Sequence, residues 1–173
     1  LGDARGTLEK LGTALESEVP ARASRRDEML ALRAQRFGPN LRIEPLDSYL
    51  KAIRAAIPDD GIFVAGMTQV GYYSRLFYPV EQPGTYLNSS YFGNLGFAWP
   101  TAIGAKVAQP DRAVVAVSGD GGFLFNSQEL ATAVQHGINA VVIVFNDNAY
   151  GNVLRAQQRQ FDGRVTVSYT HLR

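Results

Sequence analysis

Two continuous apolar segments constrain the fold of this chain more than any other feature of its sequence. Residues 113–117 and 140–145 contain only apolar side chains, most of them β-branched. Such runs are typical of strands that are buried on both faces, as in a parallel sheet covered by helices. Shorter segments, Ile-Phe-Val-Ala at residues 62–65 and Thr-Tyr-Leu-Asn at residues 85–88, predict two further strands. The chain is therefore predicted to fold around a parallel sheet.

Segments with helical periodicity alternate with these strands. In one of them Asn126 is expected to cap the N-terminus, with Glu129 at the third helical position and Gly137 ending the helix. Because strands and helices alternate, the predicted fold class is α/β, a parallel sheet with helices on both faces. The predicted helices are residues 49–57, 69–77, 101–108, 126–136 and 150–160.

The composition excludes several classes of protein. The 17 lysine and arginine residues nearly balance the 16 acidic ones, so a net charge of +1 offers no basic surface for nucleic acid. The absence of cysteine excludes disulfides and thiol chemistry, and it fits a reducing, cytoplasmic location. No apolar run approaches the roughly 20 residues that span a bilayer. We therefore expect neither nucleic acid nor a membrane among the partners.

The first 42 residues hold many of the charged side chains. Amphipathic helices are predicted at residues 5–18 and 29–37, followed by a turn at residues 38–40. The charged side of these helices is interpreted as solvent-facing. No functional site is predicted in this segment.

An aspartate follows each of the two long apolar strands. Asp120 comes shortly after Val117, and Asp147 comes shortly after Phe145. Ligands of open parallel sheets bind beyond the carboxyl ends of the strands, and neighbouring strands lie about 4.8 Å apart. The two carboxylates are therefore expected to lie around one cation. Oxygen ligands without histidine or cysteine favour Mg²⁺ or Ca²⁺ over zinc.

Glycines surround the first of these aspartates. Gly119, Gly121 and Gly122 would let a ligand approach the backbone, and the helix that follows begins with free N–H groups. A phosphate group beside a metal suggests a pyrophosphate bridged by Mg²⁺. As an alternative, Gly119-Asp120-Gly121 and Asn146-Asp147-Asn148 would each, taken alone, be a good turn sequence without a ligand. A dinucleotide-binding glycine motif is a further alternative, but it requires glycine where Leu124 stands.

Three sequence blocks in order resemble the thiamine-diphosphate-dependent enzymes of the acetolactate synthase and 2-oxoacid decarboxylase type. Gly119-Asp120-Gly121, a gap of 24 residues and Asn146-Asp147 resemble the cofactor motif of that family. Residues 93–105, which read Gly-Asn-Leu-Gly-Phe-Ala-Trp-Pro-Thr-Ala-Ile-Gly-Ala, resemble the segment before the motif. Residues 126–133, Asn-Ser-Gln-Glu-Leu-Ala-Thr-Ala, resemble the segment after it.

The resemblance implies a domain organisation. Residues 1–15 resemble the end of a preceding central domain, and residues 16–42 would form linker helices. Residues 43–166 would form the thiamine-diphosphate domain, incomplete at its C-terminus. Residues 167–173 resemble the conceptual translation of a transposase-type sequencing adapter, and we expect this tail to be non-native.

The resemblance also implies a set of metal ligands. Asp120 would bind Mg²⁺ through its side chain, and the backbone carbonyl of Ala149 would be a further ligand. Asp147 stands where the family usually has a second asparagine. The change keeps a hard oxygen ligand but adds a negative charge beside the diphosphate.

Further residues would hold the cofactor. The Gly93 carbonyl would accept a hydrogen bond from the 4′-amino group, and Leu95 would hold the cofactor in its bent form. Gln69 is expected to contact cofactor or substrate, and Tyr150 opens the helix nearest to the substrate. Gly121, Gly122 and Asn148 would line the diphosphate, and Gly119 is also expected to contact the cofactor.

The family acts on small-molecule 2-oxoacids, by decarboxylation with transfer or release of the acyl-anion equivalent. Its activating glutamate lies on a pyrimidine-binding domain, usually of a partner subunit, and no counterpart is found in this sequence. The expectation is therefore a fragment that supplies the Mg–diphosphate half of the site, that is inactive alone, and that belongs to a homodimer or homotetramer. A non-catalytic thiamine-diphosphate-binding module is the alternative.

The sequence leaves the substrate unassigned. Val153 stands where pyruvate decarboxylases have an acidic residue, and residues 155–161 lack the tryptophan usual in acetolactate synthases. His136 is interpreted as structural or exposed. The best description from sequence is an acetolactate synthase-like enzyme.

Overall fold

A computed structural model of the chain describes residues 2–20 and 23–165. The chain forms two compact units, Leu1–Leu41 and Arg42–Arg173. The tail predicted to be non-native, residues 167–173, lies outside the described residues. The assignment of segments to a preceding domain, a linker and a cofactor domain stays a prediction.

The first unit consists of short helices with exposed surfaces. Helices α1 (Ala4–Glu18) and α2 (Arg26–Arg36) precede a 3₁₀ turn at Pro39–Leu41. Asp3 caps α1, because its Oδ1 accepts a hydrogen bond from the Gly6 N–H at 2.8 Å. Neither helix contains a buried residue.

The second unit is built on a parallel sheet, which confirms the predicted α/β fold. The strands are β1 (Ile62–Ala65), β2 (Tyr86–Asn88), β3 (Val114–Gly119) and β4 (Val141–Phe145). They are arranged in the order β2-β1-β3-β4, and each neighbouring pair is parallel. The helices of this unit are α3 (Leu46–Ala56), α4 (Gln69–Phe77), α5 (Ala98–Ala108), α6 (Asp120–Leu124), α7 (Glu129–Gln135) and α8 (Gly151–Gln160).

One cluster of the core lies between the central strands and α5. Val64 and Ala116 are fully buried, and Trp99 and Ala102 of α5 pack in the same cluster. The small residues of α5 allow this helix to lie close to β1 and β3. Pro100 stands in the first turn of α5, where a missing backbone N–H costs no hydrogen bond.

The prediction that β4 is buried on both faces is wrong. Val141 is 52% exposed and Val144 is 39% exposed, whereas Val117 of β3 is completely buried. β4 is the outermost strand of the sheet that the described residues form, and it is less well covered than β1 and β3.

The predicted helix 126–136 begins later than expected, at Glu129. Asn126 does not cap it, because Gln128 occupies the cap position; the Asn126 Nδ2 donates to the Gly96 carbonyl at 2.8 Å. Gly137 does follow the helix end, with a φ of +61° that suits glycine. The short helix α6, directly after β3, was not predicted because its glycines have low helix propensity.

Candidate functional site

The register of β3 and β4 brings the two strand-end aspartates to one edge of the sheet. Gly119 at the end of β3 is the Cα partner of Phe145 at the end of β4. Asp120 is the next residue after Gly119 and begins α6, and Asp147 is the second residue after Phe145. Strand pairing alone therefore holds both residues beyond the same end of the sheet.

A cavity of about 480 Å³ lies at this edge. Its walls come from the segment after β1, the ends of β3 and β4, Leu46, the first turns of α4, α6 and α8, and a loop that contains Gly93 and Leu95. All the predicted site residues except Asn148 line it: Gln69, Gly93, Leu95, Gly119, Asp120, Gly121, Gly122, Asp147, Ala149 and Tyr150.

Glycines shape the wall that follows β3. Gly121 and Gly122 are buried, and a side chain at Gly121 would overlap the ring of Tyr150. A Cβ atom at Gly122 would lie 3.1 Å from the Ser118 Oγ. The first N–H groups of a helix have no partner within the helix, so this turn combines a thin backbone wall with donors suited to an anion.

Short side-chain hydrogen bonds shape the loop that follows β4. The Asn146 Oδ1 accepts from the Asn148 N–H at 3.0 Å, and the Asp147 Oδ1 accepts from the Ala149 N–H at 3.3 Å. Asn148 has a φ of +55°. These turns present Asn146, Asp147 and Ala149 to the cavity but not Asn148.

The loop that carries Gly93 and Leu95 closes a further side of the cavity. Gly93 has a φ of +59° and lies beside Met67. The Leu95 Cδ2 lies 3.8 Å from the position of a Cβ on Gly122, so this leucine faces the glycine turn. The hydrogen bond from Asn126 to Gly96 ties the loop to the segment after α6.

A polar link joins the first turns of α4 and α8. The Gln69 Nε2 donates to the Asn152 Oδ1 at 2.9 Å, and the Arg155 Nη2 donates to the same oxygen at 2.6 Å. The sequence analysis assigned no role to Asn152 or Arg155. Since Gln69 and Asn152 are 83 residues apart, no local sequence pattern predicts their contact.

The oxygen donors fit a magnesium ion bound together with phosphate. Asp120 and Asp147 offer carboxylates, Ala149 offers a carbonyl, and neither carboxylate forms an ion pair within the described residues. Within residues 2–20 and 23–165, no group of three or more His, Cys, Asp or Glu side chains is placed so that it could hold a metal ion. Mg²⁺ suits such a site because it usually binds one or two carboxylates and completes its shell with water and phosphate oxygens.

A third aspartate, Asp47, lies buried in α3 and is structural. It forms ion pairs with Lys51 and Arg42, both at 2.6 Å, and accepts a hydrogen bond from the Tyr73 hydroxyl at 2.9 Å. The hydrogen bond from Lys51, opposed by burial and supported by Tyr73 and Arg42, lowers the pKa of Asp47 from 3.8 to about 2. The exposed His136 lies at the end of α7 and outside the cavity.

No helix among residues 2–20 and 23–165 is both long and apolar enough to cross a membrane. The structure therefore reports no membrane-spanning helix in the part of the chain that it describes.

Comparisons with known proteins identify the family of this domain. The family described as thiamine pyrophosphate enzyme, C-terminal TPP binding domain, matches residues 66–172. A probable 2-ketoarginine decarboxylase from Pseudomonas aeruginosa is 35% identical over 154 residues, covering 88% of this chain and 28% of that protein. The acetolactate synthase isozyme 1 large subunit of Escherichia coli is 36% identical over 124 residues, covering 70% of this chain and 22% of that protein.

A solved structure of a thiamine diphosphate-dependent enzyme also resembles this chain. The thiamine diphosphate-dependent 4-hydroxybenzoylformate decarboxylase of Rhodococcus jostii RHA1 matches with a TM-score of 0.61 and 29% identity, covering 72% of this chain and 25% of that one. The chain thus spans about a quarter of the length of these relatives. The chain belongs to the family of C-terminal, thiamine pyrophosphate-binding domains of thiamine pyrophosphate enzymes.

Proposed function

We propose that this chain supplies the Mg²⁺- and diphosphate-binding half of the active site of an enzyme that acts on 2-oxoacids. One observation carries the proposal: strand register holds Asp120 and Asp147 beside a glycine turn on the wall of a single cavity. Two carboxylates alone would repel a diphosphate, but a bound Mg²⁺ cancels their charge and offers the phosphate oxygens a cation.

Each wall of the cavity has its own task in this proposal. Asp120 and Asp147, with the Ala149 carbonyl, hold Mg²⁺, while the N–H groups of Gly121 and Gly122 donate to the diphosphate. The Gly93 carbonyl accepts a hydrogen bond from the aminopyrimidine, and Leu95 supports the cofactor from the side facing Gly122. When bound, thiamine diphosphate supplies the carbanion chemistry that decarboxylation of a 2-oxoacid requires.

The proposed reaction is decarboxylation, with release or transfer of the acyl-anion equivalent. Two relatives are named as decarboxylases of 2-ketoarginine and of 4-hydroxybenzoylformate, which are both 2-oxoacids, and a third as an acetolactate synthase. The cavity beside the glycine turn is lined in part by apolar side chains, among them Val70, Tyr72 and Val153, which would exclude water from the reacting carbon.

The other half of the active site comes from a separate pyrimidine-binding domain in our proposal. No glutamate lines the cavity within the described residues, so the carboxyl that protonates the aminopyrimidine must be supplied from outside this set. A partner subunit in a cytoplasmic homodimer or homotetramer would provide it. The chain alone is then expected to bind the cofactor weakly and to turn over no 2-oxoacid.

Isothermal titration calorimetry of the chain with thiamine diphosphate tests the proposal. We expect binding in the presence of Mg²⁺, a large loss of affinity in EDTA, and little binding of thiamine, which lacks the diphosphate. Absence of Mg²⁺-dependent binding would overturn the proposal. Binding of NAD without any requirement for Mg²⁺ would instead support a dinucleotide site, and pyruvate turnover by the chain alone would contradict the half-site assignment.

A further inference from the structure

The side chain of Arg155 carries its positive charge near the N-terminus of α8, where a cation is ordinarily unfavourable. It stands one turn into α8, and its Nη2 reaches back to the Asn152 Oδ1 at 2.6 Å, toward the start of the helix at Gly151. The N-terminus of a helix already carries a partial positive charge, so a cation there is unfavourable unless an anion lies close.

An anion does face this cation across Gly151. A Cβ atom on Gly151 would lie 2.7 Å from the Asp147 Oδ2 and 4.0 Å from the Arg155 Nη2. These two distances limit the separation between carboxylate and guanidinium to no more than about 7 Å, a range over which charges near a protein surface interact appreciably. The two groups make no direct ion pair among the described residues, so neither charge is already neutralised by the other in a close contact.

Asn152, which lines the cavity, holds the guanidinium of Arg155 through a hydrogen bond. Its Oδ1 accepts from Arg155 and also from the Gln69 Nε2 at 2.9 Å, so α4 and α8 both hold it. Arg155 is solvent-exposed, yet this shared acceptor restricts where its charge can lie. The charge is thereby held near the first turn of α8, which directly follows the loop that contains Asp147.

We propose that Arg155 offsets the second carboxylate of the metal site, so that a site built with Asp147 still accepts a diphosphate. The inference rests on the proposed function. Two carboxylates and a diphosphate carry more negative charge than one Mg²⁺ neutralises, and a nearby guanidinium reduces their mutual repulsion. Arg155 is thus a positioning and charge-balancing residue, whose importance depends on the charge at residue 147.

A double-mutant cycle tests this dependence. The affinity for thiamine diphosphate in Mg²⁺ is measured by calorimetry for the unmodified chain, Arg155→Met, Asp147→Asn and the double variant. We expect Arg155→Met to weaken binding about tenfold in the unmodified chain, but less than about threefold in the Asp147→Asn background, because the repulsion is then smaller. Arg155→Lys keeps the charge and should retain most of the affinity.

Matched controls separate charge balance from a structural role. Arg159→Met removes an exposed arginine one turn further along α8 and should change affinity by less than about twofold in either background. The loss caused by Arg155→Met should shrink as salt is raised, whereas the thermal unfolding midpoint stays unchanged.

Several results would overturn the inference. Equal losses in the two backgrounds, a loss that is independent of salt, or no loss at all would each show that Arg155 does not balance Asp147. If the unmodified chain binds thiamine diphosphate without needing Mg²⁺, or does not bind it, the proposed function fails and the inference fails with it. The measurement on the unmodified chain distinguishes the two failures.

Discussion

β3 and β4 lie side by side and have similar sequences, yet they occupy different environments. Each begins with two valines and is followed by an aspartate six residues after the first of them, at Asp120 and Asp147. β3 is largely buried between β1 and β4, whereas β4 leaves two of its valines substantially exposed. An apolar run therefore predicts a strand, while its burial depends on the place of that strand in the sheet.

The two aspartates are also supported in different ways. Asp120 continues from a buried strand directly into α6 and is followed by two buried glycines, Gly121 and Gly122, beside which a side chain would have little space. Asp147 lies in an exposed loop whose shape depends on its own hydrogen bond to the Ala149 N–H. The comparison indicates that one half of the proposed metal site is supported by the core and the other by local turns.

Removal of the core-supported ligand should have the largest effect. We expect Asp120→Ala to lower the Mg²⁺-dependent affinity for thiamine diphosphate by at least about 100-fold, since even outer-shell changes cost 10- to 100-fold in metal sites. Asp147→Ala should lower this affinity less, because the Ala149 carbonyl on the same loop would still be available as a metal ligand. Calorimetry measures both, with the exposed Asp111→Ala as control, and equal losses in Asp120→Ala and Asp111→Ala would contradict the assignment.

Loss of the buried carboxylate in α3 should destabilise the element that contacts the end of β4. Tyr49 of the same helix packs on Phe145 with ring centroids 5.5 Å apart, and Asp47 pairs with Arg42 and Lys51. The pKa of Asp47 is lowered from 3.8 to about 2, so its ionised form stabilises the fold above about pH 4, and this contribution is lost as the pH falls toward 2.

The expected size of this contribution is on the order of 2 to 3 kcal/mol near neutral pH. Urea denaturation of Asp47→Asn at a series of pH values should show that loss at pH 7. The gap to the unmodified chain should narrow below about pH 4, as the unmodified carboxyl becomes protonated. A gap that stays constant down to pH 2 would show that ionisation of Asp47 is not the cause.

Truncation of one valine in each strand compares their burial directly. Val117→Ala should lower the free energy of unfolding by about 2 kcal/mol, because it removes two buried methyl groups and leaves a cavity. Val144→Ala, at a position that is already 39% exposed, should cost less than about 1 kcal/mol. Urea denaturation gives both values, and equal costs would show that β4 is covered in solution.

A methyl group beside the exposed ligand should have the smallest effect. A Cβ on Gly151 would lie 2.7 Å from the Asp147 Oδ2, so Gly151→Ala requires the carboxylate to shift by a few tenths of an ångström. We expect an affinity loss of about threefold with an unchanged or slightly raised unfolding midpoint, since alanine favours a helix more than glycine. Ala156→Gly, in the same helix, should lower the midpoint and leave the affinity unchanged.

Local sequence was sufficient for most elements of the second unit. The predicted bounds of β1 and α4 agree with the structure, because Gly66 separates an apolar run from a segment of helical periodicity. Asn126 shows where local reasoning ends. Its side chain suits a helix cap, but the helix begins three residues later, and the Asn126 Nδ2 donates to the carbonyl of Gly96, 30 residues earlier.

The candidate site divides in the same manner. Its residues near strand ends, such as Asp120 and Asp147, follow from a rule about parallel sheets and need no tertiary information. The contact of Gln69 with Asn152, and with it the placement of Arg155, joins segments 83 residues apart. Such a contact depends on how two helices meet across a cavity, which no pattern along the chain encodes.

The register of Gly119 with Phe145 has a consequence for insertions and deletions. The connection between the aspartates passes through α7 and the turn at Gly137, so a loop lengthened there leaves the strand pairing and the two carboxylates in place. A single residue deleted within β4 instead turns every following side chain to the opposite face. The number of residues between Asp120 and Asp147 can therefore change in the connection between β3 and β4, but not within β4.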